Sequence, residues 1–162
     1  MSTVRIVSGL GLVLVLGGFA AAEPLKGNEI KNLFSGNTIS GVYTTGRTFS
    51  EYHAPDGRAL GDSGFGLNVD ACWNTDGDHI CYHYGPYGKR RTYCFTVEKV
   101  GESLRLKVAE SGRLNGIAGV ETGNPHNHDD GGKRWSCDDL LSRAPTPFIP
   151  FTARSRAQRS SG

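Results

Sequence analysis

Apolar and polar side chains alternate most regularly between Ala71 and Val97. Ile80, Tyr82 and Tyr84 interleave with His79, Cys81 and His83, and after a polar loop Tyr93, Phe95 and Val97 interleave with Cys94 and Thr96. A period of two puts each set on one face of a strand. The two segments predict an antiparallel hairpin with Cys81 opposite Cys94, Tyr84 opposite Arg91 and residues 85–90 as its loop. That register brings the aromatic faces together and places both cysteines on the other side, where directly opposed Cβ atoms come within bridging distance.

The same reading extends outward. Ile30, Leu33 and Phe34 fall on one helical face, Asn28 or a neighbour is a candidate cap and Gly36 a stop, which predicts a short helix over 28–35. Asn37–Tyr43 reads as a strand, Thr44–Arg47 as a turn, and Phe49 and Tyr52 mark a second strand ending in the Ala54-Pro55-Asp56-Gly57-Arg58 turn. Leu60, Phe65, Leu67 and Val69, separated by glycines, suggest an irregular strand leading into Trp73. Leu104, Leu106 and Val108 form another half-buried strand after a turn at Gly101, and Leu114, Ile117 and Val120 a weaker strand or close-packed loop. Seven or eight short strands with regularly spaced turns predict a mainly β protein: an antiparallel meander forming a small barrel or strongly curved sheet, with a short N-terminal helix.

Residues 121–134 have no core-forming period and read as a loop or arm, with Trp135 and Cys137 returning to the body. Pro145, Pro147 and Pro150 around Phe148, Ile149 and Phe151, with Arg143, Arg154, Arg156 and Arg159, make residues 143–162 a basic tail. Weak contact of this tail with anionic lipid is the one membrane role considered for it.

Composition bears mainly on compartment. Arg5, the apolar run Ile6–Phe19 and Ala20-Ala21-Ala22 have the order of a signal peptide over residues 1–22, which predicts a periplasmic or secreted protein. The remaining 140 residues suffice for one domain, expected over 23–142. Basic and acidic side chains number 18 and 16 across the chain. So even an overall balance gives little reason to expect nucleic acid as a partner. Cys72, Cys81, Cys94 and Cys137 all follow the leader, and an oxidising compartment permits two disulfides. The hairpin register favours Cys81 with Cys94, leaving Cys72 to pair with Cys137. No Cys-X-X-Cys motif supports thiol exchange.

Three groups offer chemistry. His126, His128, Asp129 and Asp130 form a mixed nitrogen and oxygen donor set suited to zinc, copper or nickel. Tyr87, Lys89, Arg90 and Arg91 place an aromatic ring and cations at the hairpin tip, a combination able to meet an acidic partner. His79 and His83 share the cysteine face and read as surface groups around the staple. Ser63, in Gly61-Asp62-Ser63-Gly64, lacks the Gly-X-Ser-X-Gly elbow. The acids Glu51, Asp56, Asp62 and Asp70 are dispersed over turns, so no catalytic residue is assigned. No phosphate-cradling glycine motif or haem-attachment sequence predicts a cofactor.

The segments Leu33–Gly41, Phe49–Gly57 and Cys72–Tyr82, in that order, resemble a group of small exported proteobacterial proteins of unknown function. The resemblance spans about residues 25–109 and implies an exported β-rich domain, without an established reaction. Where that group commonly has a glycine before the tryptophan, this chain has Cys72 before Trp73, in keeping with an added bridge to Cys137. Together these readings predict a disulfide-stapled binding or accessory module that presents loops on a rigid sheet to an envelope or secreted protein. The alternatives are a transition-metal-binding protein using the His126/His128 loop and a hydrolase of cell-envelope material. A small ligand ranks below a protein partner, because no sequence feature defines a deep pocket.

Overall fold

The computed structural model describes residues 22–86 and 88–141. Nearly all of the expected leader, the basic tail and Tyr87 lie outside these residues. Among those described, no helix is long and apolar enough to cross a membrane. Helix α1 (Gly27–Phe34) precedes eight strands: β1 (Asn37–Tyr43), β2 (Thr48–His53), β3 (Ala59–Asp62), β4 (Cys72–Asp76), β5 (His79–Tyr84), β6 (Arg91–Val100), β7 (Ser103–Val108) and β8 (Leu114–Thr122). A single helical turn, α2 (Asp138–Leu141), follows.

All strands belong to one antiparallel sheet in the order β3-β2-β1-β8-β7-β6-β5-β4. The sheet curls until its end strands nearly meet. At that seam the amide of Ala59 donates to the Ala71 carbonyl at 3.0 Å, and the amide of Trp73 to the Gly57 carbonyl at 2.7 Å. The expected barrel is thus present and almost closed, which leaves little strand edge available for pairing with another chain. The β5–β6 register is the predicted one, with Cys81 opposite Cys94 and Tyr84 opposite Arg91. Both expected disulfides form, with Cα separations of 4.1 Å for Cys81–Cys94 and 5.8 Å for Cys72–Cys137.

Helix α1 closes one end of the barrel. Ile30 and Phe34, four residues apart and therefore on one face, are fully buried against Ile39, Trp73, Ile80 and Val97. Trp73 satisfies its indole N–H on the Ala54 carbonyl at 3.1 Å.

Two expected strands differ. β3 ends at Asp62, and the loop after it turns through Gly64 and Gly66 at positive φ, so Phe65, Leu67 and Val69 stand in an exposed loop and not in a strand. β8 is a full strand of nine residues paired on both sides. Its inward positions are Gly116, Ala118 and Val120, while Leu114 and Ile117 are exposed. Close approach to β1 explains the glycine: a Cβ on Gly116 would lie 2.9 Å from the Val42 carbonyl oxygen of β1.

The segment after β8 is a strap along the outside of the barrel. The Gly123 carbonyl accepts from Thr38 Oγ1 and its amide donates to Asn37 Oδ1. Arg58 meets Asp130 at 3.4 Å, Trp135 Nε1 donates to the Ala71 carbonyl at 2.9 Å, and Cys137 is bonded to Cys72. These last contacts lie over the β3–β4 seam.

Candidate functional site

At the end of the barrel opposite α1, the interior is open. A cavity of about 490 Å³ is walled by Tyr43, Phe49, Tyr82, Tyr84, Tyr93 and Phe95, with Leu106 deeper and Phe65 at the mouth. The period-two pattern explains the convergence: Phe49 and Glu51 are inward positions of β2, Tyr82 and Tyr84 of β5, and Tyr93 and Phe95 of β6. Barrel curvature then brings strands distant in the chain to face one another. Adjacent rings pack at centroid distances of 4.7 Å for Tyr43–Phe49 and 6.1 Å for Tyr84–Tyr93.

Phe65 is 75% exposed. Its ring stands 5.9 Å from Tyr43, and the Arg47 guanidinium lies over it at 4.9 Å. Leu67 and Tyr93 are also exposed. The loop carrying Phe65 is held from below, since Asp62 Oδ1 accepts from the amides of Gly64 and Gly66 and the Tyr43 hydroxyl donates to the Ser63 carbonyl at 2.9 Å. Ser63 is therefore a turn residue, its own hydroxyl donating to the Gly66 carbonyl.

Glu51 is the charged side chain of this cavity. It is 3% exposed, and its Oε1 accepts from Asn68 Nδ2 at 2.7 Å and from the Tyr84 hydroxyl at 3.0 Å. Burial raises its pKa; the hydrogen bonds from Asn68 and Tyr84 oppose this, and the charge of Asp62 adds to it. Burial likewise raises the pKa values of Tyr43, Tyr82 and Tyr84, with Glu51 as the next cause in each case, so the phenols stay neutral. Behind Tyr82 sits His53, fully buried, with Nε2 2.7 Å from the Tyr82 hydroxyl and its ring set edgewise against Phe34 and Trp73. Burial pushes its pKa down to about 3, so this imidazole is a neutral core group.

The metal set does not converge. His126 Nε2 lies 2.8 Å from Glu121, whereas His128 Nε2 lies 2.8 Å from the Ser50 hydroxyl, and the two rings are 5.4 Å apart. Asp129 accepts from the Gly131 amide; Asp130 accepts from the Gly132 amide and meets Arg58. Among the described residues no group of three or more His, Cys, Asp or Glu is placed to hold a metal ion. Burial, and then the charge of His126, lower the His128 pKa.

At the hairpin tip, Lys89 is exposed and Arg91 begins β6, while Arg90 Nη2 donates to the Ser136 carbonyl at 3.1 Å and so joins the tip to the strap. Of the two histidines on the cysteine face, His83 differs from expectation. His83 is only 9% exposed, held between Thr92 Oγ1 at 2.9 Å and Asn74 Oδ1 at 3.0 Å, because it sits opposite Cys72 in the ladder, next to the strap's disulfide.

The fold and cavity define a disulfide-stapled, nearly closed antiparallel barrel with one plugged and one open end. Compared with known protein families, with curated proteins and with solved structures, the chain matches none.

Proposed function

We propose that the protein is an exported binding module that takes up a small, largely apolar molecule in the open end of its barrel. The observation that carries this reading is the aromatic cavity, whose volume falls within the ~300–1,000 Å³ of small-molecule sites and which combines an apolar wall with a buried carboxyl group. Exposed Phe65 and Tyr93 at the mouth supply apolar surface that a bound molecule would cover. Export rests on the leader-like residues 1–22 and on the two disulfides, which suit an oxidising compartment. The loop 85–90 follows Tyr84 at the same end, so a protein partner meeting Lys89 would stand beside the cavity.

The direct test is titration with the neutral fluorophore N-phenyl-1-naphthylamine. Saturable binding of one probe per protein is expected, and Tyr93→Ala should weaken it about tenfold by removing one wall of the mouth while leaving the circular dichroism spectrum unchanged. Absence of saturable binding by folded protein, or affinity indifferent to Tyr93→Ala, would count against the cavity as the site.

A further inference from the structure

Glu51 gives the cavity a chemical preference. It is a carboxyl group set among aromatic rings, and none of the described residues lining the cavity is a lysine, arginine or histidine. The positive charge at its mouth is Arg47, whose guanidinium lies over Phe65 at 4.9 Å and donates to the Gly64 carbonyl. A buried carboxylate ordinarily has a cationic partner or several hydrogen bonds. Here Asn68 and Tyr84 both donate to Oε1, an arrangement that favours the ionised group, and neither reaches Oε2. Asp62 contributes further negative potential. Around the carboxyl, the faces of Tyr43, Tyr82, Tyr84 and Tyr93 carry the negative quadrupole of aromatic rings.

From this geometry we infer that the cavity selects an organic cation, an ammonium group seated between the Glu51 carboxylate and the tyrosine rings, with the molecule's apolar body directed toward Phe65 at the mouth. The inference rests on the cavity being a binding site and adds the charge of its occupant. Ammonium groups are attracted to aromatic faces, more strongly when desolvated, and a carboxylate behind the rings reinforces the attraction. A neutral apolar molecule would leave the carboxylate without a countercharge; an anion would meet the negative potential of Glu51 and Asp62. Because burial raises the pKa of Glu51 in the empty cavity, seating a cation drives its proton off to the buffer, and cation affinity rises with pH until the carboxyl is ionised beforehand.

The test compares two probes of similar shape, benzyltrimethylammonium and the uncharged 2-methyl-1-phenyl-2-propanol, by calorimetric titration of the disulfide-intact protein. At pH 8 the cation should bind about tenfold more tightly than the alcohol. Its affinity should fall at pH 5, where the alcohol's does not. Glu51→Gln should abolish the preference by weakening the cation and leaving the alcohol within about twofold. Tyr84→Phe, which removes one hydrogen bond to Glu51, should reduce the preference partially and serves as the test if Gln at position 51 disturbs folding. If the alcohol binds as well as the cation, or the preference survives both substitutions, the inference of a cationic ligand fails while the cavity stands. If folded protein binds neither probe nor the naphthylamine, the cavity reading beneath it fails as well.

Discussion

Glu51 and His53 are two residues apart on β2, both face the barrel interior, and burial drives both toward the neutral form. For the acid this raises the pKa, and for the base it lowers it to about 3. Between the ordinary carboxylate range and the raised value, the folded protein holds a proton on Glu51 that the unfolded chain has released, so stability from this group is lost as pH rises through that window. His53 acts in the opposite direction. Between about pH 6.5 and 3 the unfolded chain binds a proton that folded His53 refuses, so stability falls as the solution is acidified. Glu51→Gln is therefore expected to stabilise the protein at pH 8 and to have little effect at pH 4. Urea unfolding at pH 4, 6 and 8 checks this: a difference that shrinks with rising pH would contradict the assignment. A stabilising substitution at this position would also mark Glu51 as a residue kept at some expense to the fold, as binding sites often are.

At the scale of elements, helix α1 shows what a local pattern can and cannot reveal. Its length was legible because Ile30, Leu33 and Phe34 lie on one face and Gly36, at φ 77°, stops it. Its capping was legible only in part. Within the first turn Glu29, the neighbour of Asn28, accepts from the Lys26 amide at 2.7 Å and Asn28 Oδ1 accepts from the Glu29 amide at 3.0 Å. Asp78, in the turn between β4 and β5, adds a contact across some fifty residues, accepting from the Gly27 amide at 3.0 Å and meeting Lys26 Nζ at 3.1 Å. The approach is so tight that a Cβ on Gly27 would lie 2.0 Å from the Gly77 carbonyl oxygen. Gly27→Ala should thus destabilise the protein by about 1–3 kcal/mol, although alanine is the better helix former. Denaturant unfolding decides the sign, and a stabilised variant would mean the helix does not seat on this turn. β8 and the 63–70 loop misled the pattern for opposite reasons. β8 buries glycine and alanine where apolar bulk was sought, whereas Phe65 and Leu67 are bulky because they flank a mouth and not because they enter a core. The hairpin register, by contrast, was fully legible, since aromatic alternation and two cysteines fix the same pairing. The cavity draws its strand residues from β1, β2, β5, β6, β7 and β8, each unexceptional in its own strand, and only closure of the sheet brings them together.

For the whole molecule, the weak line of the barrel is the seam between β3 and β4. β3 has four residues, and continuous pairing gives way there to an isolated bridge and a few backbone hydrogen bonds. The strap covers this line and is fastened by Arg58–Asp130, Trp135 and the Cys72–Cys137 bridge. The two disulfides accordingly do different work. Cys81–Cys94 joins strands already paired along five residue positions, whereas Cys72–Cys137 ties the strap to an edge strand that lacks a full ladder on one side. Chain entropy points the same way: sequence separations of 65 and 13 correspond to about 4 and about 3 kcal/mol respectively. Replacing Cys72 and Cys137 by serine should lower stability more than replacing Cys81 and Cys94. It should also speed amide exchange at Ala59 and Trp73 at least about tenfold relative to the strand amides of β6, as expected for a locally opened unit. Trypsin should then cut after Lys133 or Arg134 in folded protein. If both serine pairs accelerate exchange equally at the seam and in β6, the barrel opens only as a whole and the strap is no clasp. Because β3 and the loop that follows it carry Phe65 to the mouth, loosening the seam should also weaken N-phenyl-1-naphthylamine binding, which links the strap on the outside of the barrel to the shape of the cavity within.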